Sequence, residues 1–115
     1  MLVCDDDQGI CEIIAAILRE HGYQVQKVYD GAMALEELKC RRYNVMILDY
    51  MLGNTNGLDI LQKAGQLDHK VRIILMSGYN SYDLPKRAQE LGADGFLPKP
   101  FLIQELLHVV GKRAG

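Results

Sequence analysis

Val45-Met46-Ile47-Leu48-Asp49 limits what this chain can fold into more than any other stretch. Four apolar residues in succession leave no polar face, as a central parallel strand covered by helices on both sides requires. The run ends on a carboxylate, placed where the strand's C-terminal end reaches the sheet edge. In open α/β folds ligands bind along that rim. A lone strand-end Asp more often does no more than start a turn, so the weight of Asp49 depends on what else the chain brings to the same edge.

The remaining apolar runs alternate between strand-like and helix-like spacing. Met1 to Asp5 reads as a short strand. Ile10, Ile13, Ile14, Ile17 and Leu18 follow at helical spacing, closed by Gly22. Gln24 to Tyr29 suits a strand nearer the edge, and Ala32, Leu35 and Leu38 mark a helix to about Arg42. After the central strand comes a loop, Gly53-Asn54-Thr55-Asn56-Gly57, then a helix carried by Leu58, Leu61 and Ala64. Val71 to Met76 is a further apolar strand interrupted only by Arg72. Leu84, Ala88 and Leu91 fit a fourth helix with Pro85 in its first turn. Gly95 to Pro98 is a short fifth strand, and Leu102, Ile103, Leu106, Leu107 and Val110 give the last helix. Five such alternations predict an α/β fold with a parallel sheet, right-handed crossovers and helices on both faces.

At 115 residues, with no linker or low-complexity stretch, the chain is expected to be one domain over 1–115. A net charge of −2 gives no electrostatic case for binding nucleic acid or an anionic membrane. No apolar run approaches the ~18 residues that span a bilayer, and no signal-peptide pattern opens the chain. Cys4, Cys11 and Cys40 lack metal-ligand spacing and read as reduced, cytoplasmic thiols.

Polar residues gather at the strand ends. Asp5-Asp6-Asp7 follows the first strand, Asp49 the third, Ser77 the fourth and Lys99 the fifth. Asp5 to Asp7 read in two ways. One Asp would suffice to cap the first helix. Three near Asp49 would put several negative charges together, and such a group resists ionisation without a cation. Oxygen-only donors favour a hard ion, and few carboxylates favour Mg²⁺ over a Ca²⁺ cage. Ser77 could simply finish a loop, and Lys99 could simply be solvated. Acids with a divalent ion, a hydroxyl and an ammonium nevertheless suit phosphoryl transfer, in which a carboxylate can itself be the nucleophile.

With those residues in place, the sequence resembles the receiver (phosphoacceptor) domain of two-component response regulators over essentially its whole length. The resemblance is carried by Asp5-Asp6, by Leu48-Asp49-Tyr50-Met51-Leu52, by Met76-Ser77-Gly78 and by Phe96-Leu97-Pro98-Lys99-Pro100-Phe101. It implies a flavodoxin-like (βα)5 three-layer sandwich whose sheet runs 2-1-3-4-5, an order that general accounts of the fold illustrate with a chemotaxis member of this family. It also implies that Asp49 is phosphorylated by a sensor histidine kinase or phosphotransfer protein. Asp6, Asp49 and the Met51 carbonyl would hold Mg²⁺, with Asp5 acting mainly through a water and Asp7 peripheral. Ser77 and Lys99 would meet phosphoryl oxygens, Phe96 would be the switch aromatic, and Lys99–Pro100 would be cis. Such a domain catalyses only its own phosphorylation and dephosphorylation. A homodimer through the fourth helix, fifth strand and fifth helix is compatible with the family.

Some positions depart from the commonest pattern. Phe96 has no hydroxyl where Tyr is frequent. Gly53 stands for a frequent proline and Gly78 for a frequent alanine, which predicts looser loops. Met51 and Tyr79 occupy positions that usually tune dephosphorylation. The main alternative, a phosphorylation-independent docking module, usually lacks one of the acids or the lysine, all of which are present. A haloacid-dehalogenase-type phosphatase wants a second Asp where Met51 stands. A flavodoxin-like cofactor carrier wants a phosphate loop where this chain has three aspartates. The stretches 76–79 and 95–101 look most like receivers attached to hybrid histidine kinases. A first strand beginning at residue 1 suggests a domain trimmed from a longer chain.

Overall fold

The computed structural model describes residues 1–67, 70–78 and 83–111. In chain order its first elements are β1 (Leu2–Cys4), α1 (Gln8–Glu20), β2 (Gln26–Val28), α2 (Gly31–Cys40) and β3 (Val45–Asp49). Then come β4 (Met51–Leu52), β5 (Thr55–Asn56), α3 (Gly57–Ala64), β6 (Arg72–Ser77), α4 (Leu84–Glu90), β7 (Gly95–Pro98) and α5 (Ile103–Gly111). Five strands form one parallel sheet in the order β2-β1-β3-β6-β7. With the two short strands set aside, this is the expected 2-1-3-4-5 arrangement of a flavodoxin-like α/β sandwich.

Period-two geometry divides each central strand between two cores. Leu2 and Cys4 of β1, Met46 and Leu48 of β3, and Ile73 and Leu75 of β6 face α2, α3 and α4. Val3, Val45, Ile47, Ile74 and Met76 face the other way, against Cys11, Ile14 and Leu18 of α1 and Leu106 and Val110 of α5. All five residues of β3 are buried, which accounts for the unbroken apolar run. Each fully buried Leu, Ile or Met contributes about 1.5–3 kcal/mol of transfer free energy. The edge strand β2 is only partly buried, in keeping with its polar neighbours around Val25.

Helix ends follow local chemistry. Asp7 caps α1 by accepting from Ile10 N–H, Asp30 caps α2 through Met33 N–H, and Asn56 caps α3 through Leu58 N–H. Gly22 takes a φ of 90° just past α1, where a left-handed residue is wanted. Arg72 is the polar break in β6 because its guanidinium donates to the Val109 and Val110 carbonyls, both at 3.0 Å. It thereby satisfies two orphan acceptors at the C-terminal end of α5.

Two expectations need correction. The segment foreseen as a plain loop at 53–57 contains half of a small hairpin, with Met51 opposite Asn56 and Leu52 opposite Thr55. Gly53, at a φ of 61°, makes its two-residue turn with Asn54, so glycine there serves a defined left-handed position, which proline could not adopt. Gly57 already belongs to α3, and α2 stops at Cys40, two residues short of Arg42. Among the described residues no helix is long and apolar enough to cross a membrane.

Candidate functional site

Parallel pairing brings the C-terminal ends of β1, β3, β6 and β7 to one rim. β1 ends at Cys4 and delivers Asp5, whose N–H donates to the Val28 carbonyl at 3.2 Å. β3 delivers Asp49, β6 ends on Ser77, and the Lys99 N–H donates to the Ser77 carbonyl at 2.8 Å, tying the β7 exit to β6. Asp5 is wholly buried, while Asp49 and Ser77 are 5% and 2% exposed. They are the buried polar residues among those described. Buried charge is costly unless paired, and the pairing is supplied by Lys99. Its ammonium lies 2.9 Å from Asp5 Oδ2 and 3.1 Å from Asp49 Oδ1. The Lys99–Pro100 bond is cis.

One lysine does not balance the acids it faces. Burial and the nearby Asp5 charge push the Asp49 carboxyl up to about 6, against the downward pull of Lys99. Burial alone would lower the Lys99 ammonium, but Asp5 and Asp49 together outweigh it and hold its pKa above the usual lysine value. Asp5, Asp6 and Asp49 each present a carboxylate oxygen, all within 4.8 Å of one another. An all-oxygen donor set carrying surplus negative charge fits a hard divalent cation.

The run of three acids divides its work. Asp7 is the helix cap, Asp6 is exposed on the rim, and Asp5 is buried, accepting from Asp7 N–H at 2.9 Å through Oδ1. The run thus supplies the α1 cap at Asp7 and, at Asp5 and Asp6, two carboxylates clustered with Asp49. Met51 follows on β4 and is 59% exposed. Phe96 is half-buried on β7, packed against the core face shared with Leu84 and Ala88 of α4. Tyr79 lies outside the described residues.

Sequence reasoning passed over Gly57. Its N–H donates to the Tyr50 carbonyl at 2.7 Å, and a Cβ there would overlap the Asp49 carbonyl oxygen and sit 2.9 Å from Tyr50 Cα. This glycine lets α3 start directly beneath the Asp49 backbone. Asn56 ahead of an apolar helical run was the available signal, as a helix cap.

The chain is similar to known proteins over nearly its whole length. The family model described as the response regulator receiver domain matches residues 1–111. The chain belongs to the response regulator receiver family. This receiver domain is 37% identical over 109 residues to the transcriptional regulatory protein CutR of Streptomyces coelicolor, covering 93% of the chain and 49% of CutR. It thus spans about half the length of that relative. It is 30% identical over 112 residues to sporulation initiation phosphotransferase F of Bacillus subtilis, covering 97% of the chain and 90% of that protein. A solved response regulator from Burkholderia pseudomallei, with a phosphorylated aspartic acid, calcium ion and citrate, matches with a TM-score of 0.89 at 28% identity. That match covers 96% of the receiver domain and 65% of the solved chain. Membership places the domain in two-component signalling, where response regulators work with histidine kinases or phosphotransfer proteins.

Proposed function

We propose that this receiver domain accepts a phosphoryl group on Asp49 from a phosphohistidine of a sensor histidine kinase or phosphotransfer protein. The observation that carries the reading is the Asp49 carboxylate itself, buried at a strand end, crowded by Asp5 and held at 3.1 Å by the Lys99 ammonium. An Asp49 Oδ attacks phosphorus, the phosphorus–nitrogen bond breaks, and its electron pair returns to the imidazole. With a pKa of about 6, Asp49 is mostly ionised at pH 7, as a nucleophile must be. Lys99 is positioned to exchange part of its carboxylate pairing for a phosphoryl oxygen, and the buried Ser77 hydroxyl would meet another.

Mg²⁺ held by Asp6, Asp49 and the Met51 carbonyl would neutralise the acids and the charge developing on the phosphoryl oxygens. Asp5 is expected to act through a water, because Asp7 N–H and the Lys99 ammonium already engage its two oxygens. The calcium ion and phosphorylated aspartic acid of the Burkholderia pseudomallei protein support this assignment. The new charge on Asp49 would bias Phe96 and the surface around α4 and β7 between two states. That surface is the one through which the domain would pair with a second copy. The receiver domain acts only on its own phosphorylation state, in the cytoplasm where phosphohistidine donors are made, as a single unit over 1–115.

Incubation with Mg²⁺ and a small phosphodonor, followed by intact mass, tests the assignment. A Mg²⁺-dependent phosphoryl adduct that is absent in Asp49→Asn is expected. A folded protein that forms no adduct would overturn it in favour of a phosphorylation-independent docking module.

A further inference from the structure

The opposite end of the sheet holds a second candidate site that the phosphoacceptor chemistry does not use. A cavity of about 760 Å³ opens at the amino-terminal ends of β1, β3 and β6, between the α1–β2 and α2–β3 loops and the end of α5. That volume is in the range of small-molecule sites. Arg41, Arg42 and Arg72 all line it, and among the described residues no Asp or Glu does. In a chain of net charge −2, such segregation sets up a local positive field.

The arginines are differently committed. Arg72 spends two donors on the α5 carbonyls, which also masks the negative end of that helix from anything in the cavity. The Arg41 side chain is 70% exposed, and its Nε meets its acidic neighbour, Glu37, only at 3.8 Å. Such a contact is weak in water. Glu37 is better engaged by the Tyr43 hydroxyl, which donates to it at 2.6 Å. Arg42 is exposed beside Arg41. Gln24 and Asn44 add amide groups to the lining. Guanidinium forks whose one acidic neighbour is this weakly held are suited to phosphate oxygens, which they grip bidentately.

We propose that this cavity binds a small oligophosphate, either free or as the phosphate tail of a nucleotide, through Arg41 and Arg42, with Arg72 as a fixed positive wall. The acid-lined rim at the far end of the sheet repels such an anion, so the two sites are chemically distinct. The proposal stands apart from phosphorylation of Asp49.

Titration of the ¹⁵N-labelled domain with inorganic pyrophosphate, and separately with ADP, in EDTA at constant ionic strength tests it. Saturable amide shifts are expected at 22–26, 41–45, 72 and 110–111, unchanged in Asp49→Asn. Removing two charged hydrogen-bonding partners in Arg41→Gln/Arg42→Gln should weaken binding by about tenfold or more. These residues are exposed, so the variant should keep the wild-type spectrum elsewhere and the site's loss can be told from misfolding. Equal affinity for both probes assigns recognition to the phosphates, and tighter ADP binding adds a base contact. Either outcome supports the site. Non-saturating shifts, shifts confined to the Asp49 rim, or undiminished binding by the double variant would overturn it.

Discussion

Replacing Asp49 with Asn should make the receiver domain more stable in the absence of divalent cations, although it removes one half of an ion pair. Asn has nearly the shape of the protonated carboxyl and, like it, lacks the carboxylate's charge. In the fold Asp49 titrates at about 6, against 3.8 for an unperturbed aspartate. The difference of about two pH units corresponds to about 3 kcal/mol by which ionised Asp49 opposes folding. The sign is the reverse of the usual carboxylate case. Between pH 4 and 6 the native state holds a proton that the unfolded state has released, so stability falls as pH rises through that window and levels off above about 7. Urea or thermal unfolding of both proteins in EDTA should therefore agree near pH 3.5 and diverge toward pH 7.5. There Asp49→Asn gains up to about 3 kcal/mol, or about 12 °C in Tm for a chain of this length. Added Mg²⁺ should close the gap from the wild-type side. A variant no more stable than wild type at pH 7.5, or a gap that does not depend on pH, would refute the account of Asp49 as a buried, under-neutralised carboxylate.

Other expectations follow from single contacts. Gly57→Ala should cost about 2–4 kcal/mol in urea unfolding, because its Cβ would meet rigid backbone at Asp49 and Tyr50. Asp7→Ala should lose about 1 kcal/mol through the α1 cap while leaving Mg²⁺ affinity, read by fluorescence titration, close to wild type. Native alkylation should modify Cys40 alone. Cys4 and Cys11 are buried, with burial the largest cause raising their thiols to about 12 and about 11, and should react only on unfolding. In a spectrophotometric titration the Tyr43 phenol should ionise near pH 12. Burial first and the Glu37 hydrogen bond second raise Tyr43, and Tyr43→Phe should remove that step.

What could be read from the sequence depended on whether one residue's surroundings were set locally. The unbroken Val45–Leu48 run announced a strand covered on both faces, and each helix was marked by apolar spacing. The strand ends then ordered Asp5, Asp49, Ser77 and Lys99 along one rim. Local chemistry also held the β4–β5 turn, since Gly-Asn between Leu52 and Thr55 is itself a hairpin signal, passed over because the strands are only two residues long. Assigning the cap to Asp7 rather than Asp5 required the register of α1. The need for glycine at 57 depends on how closely α3 approaches the β3 backbone. The partners of Arg72 lie 37 and 38 residues away, and no spacing rule anticipates them.

The ammonium paired with the rim's acids comes from residue 99, and one of its two acidic partners from residue 5, 94 positions earlier. A polypeptide made from its amino terminus contains Asp5, Asp6 and Asp49 before Lys99 is added. β1 also sits inside the sheet between β2 and β3, so Asp5 and Asp49 are brought side by side by a pairing that does not involve β7. Until β7 docks beside β6, the rim is an unneutralised acidic cluster that opposes its own assembly. Lys99 follows β7 directly, so any C-terminal truncation that removes β7 also removes the cation paired with Asp5 and Asp49.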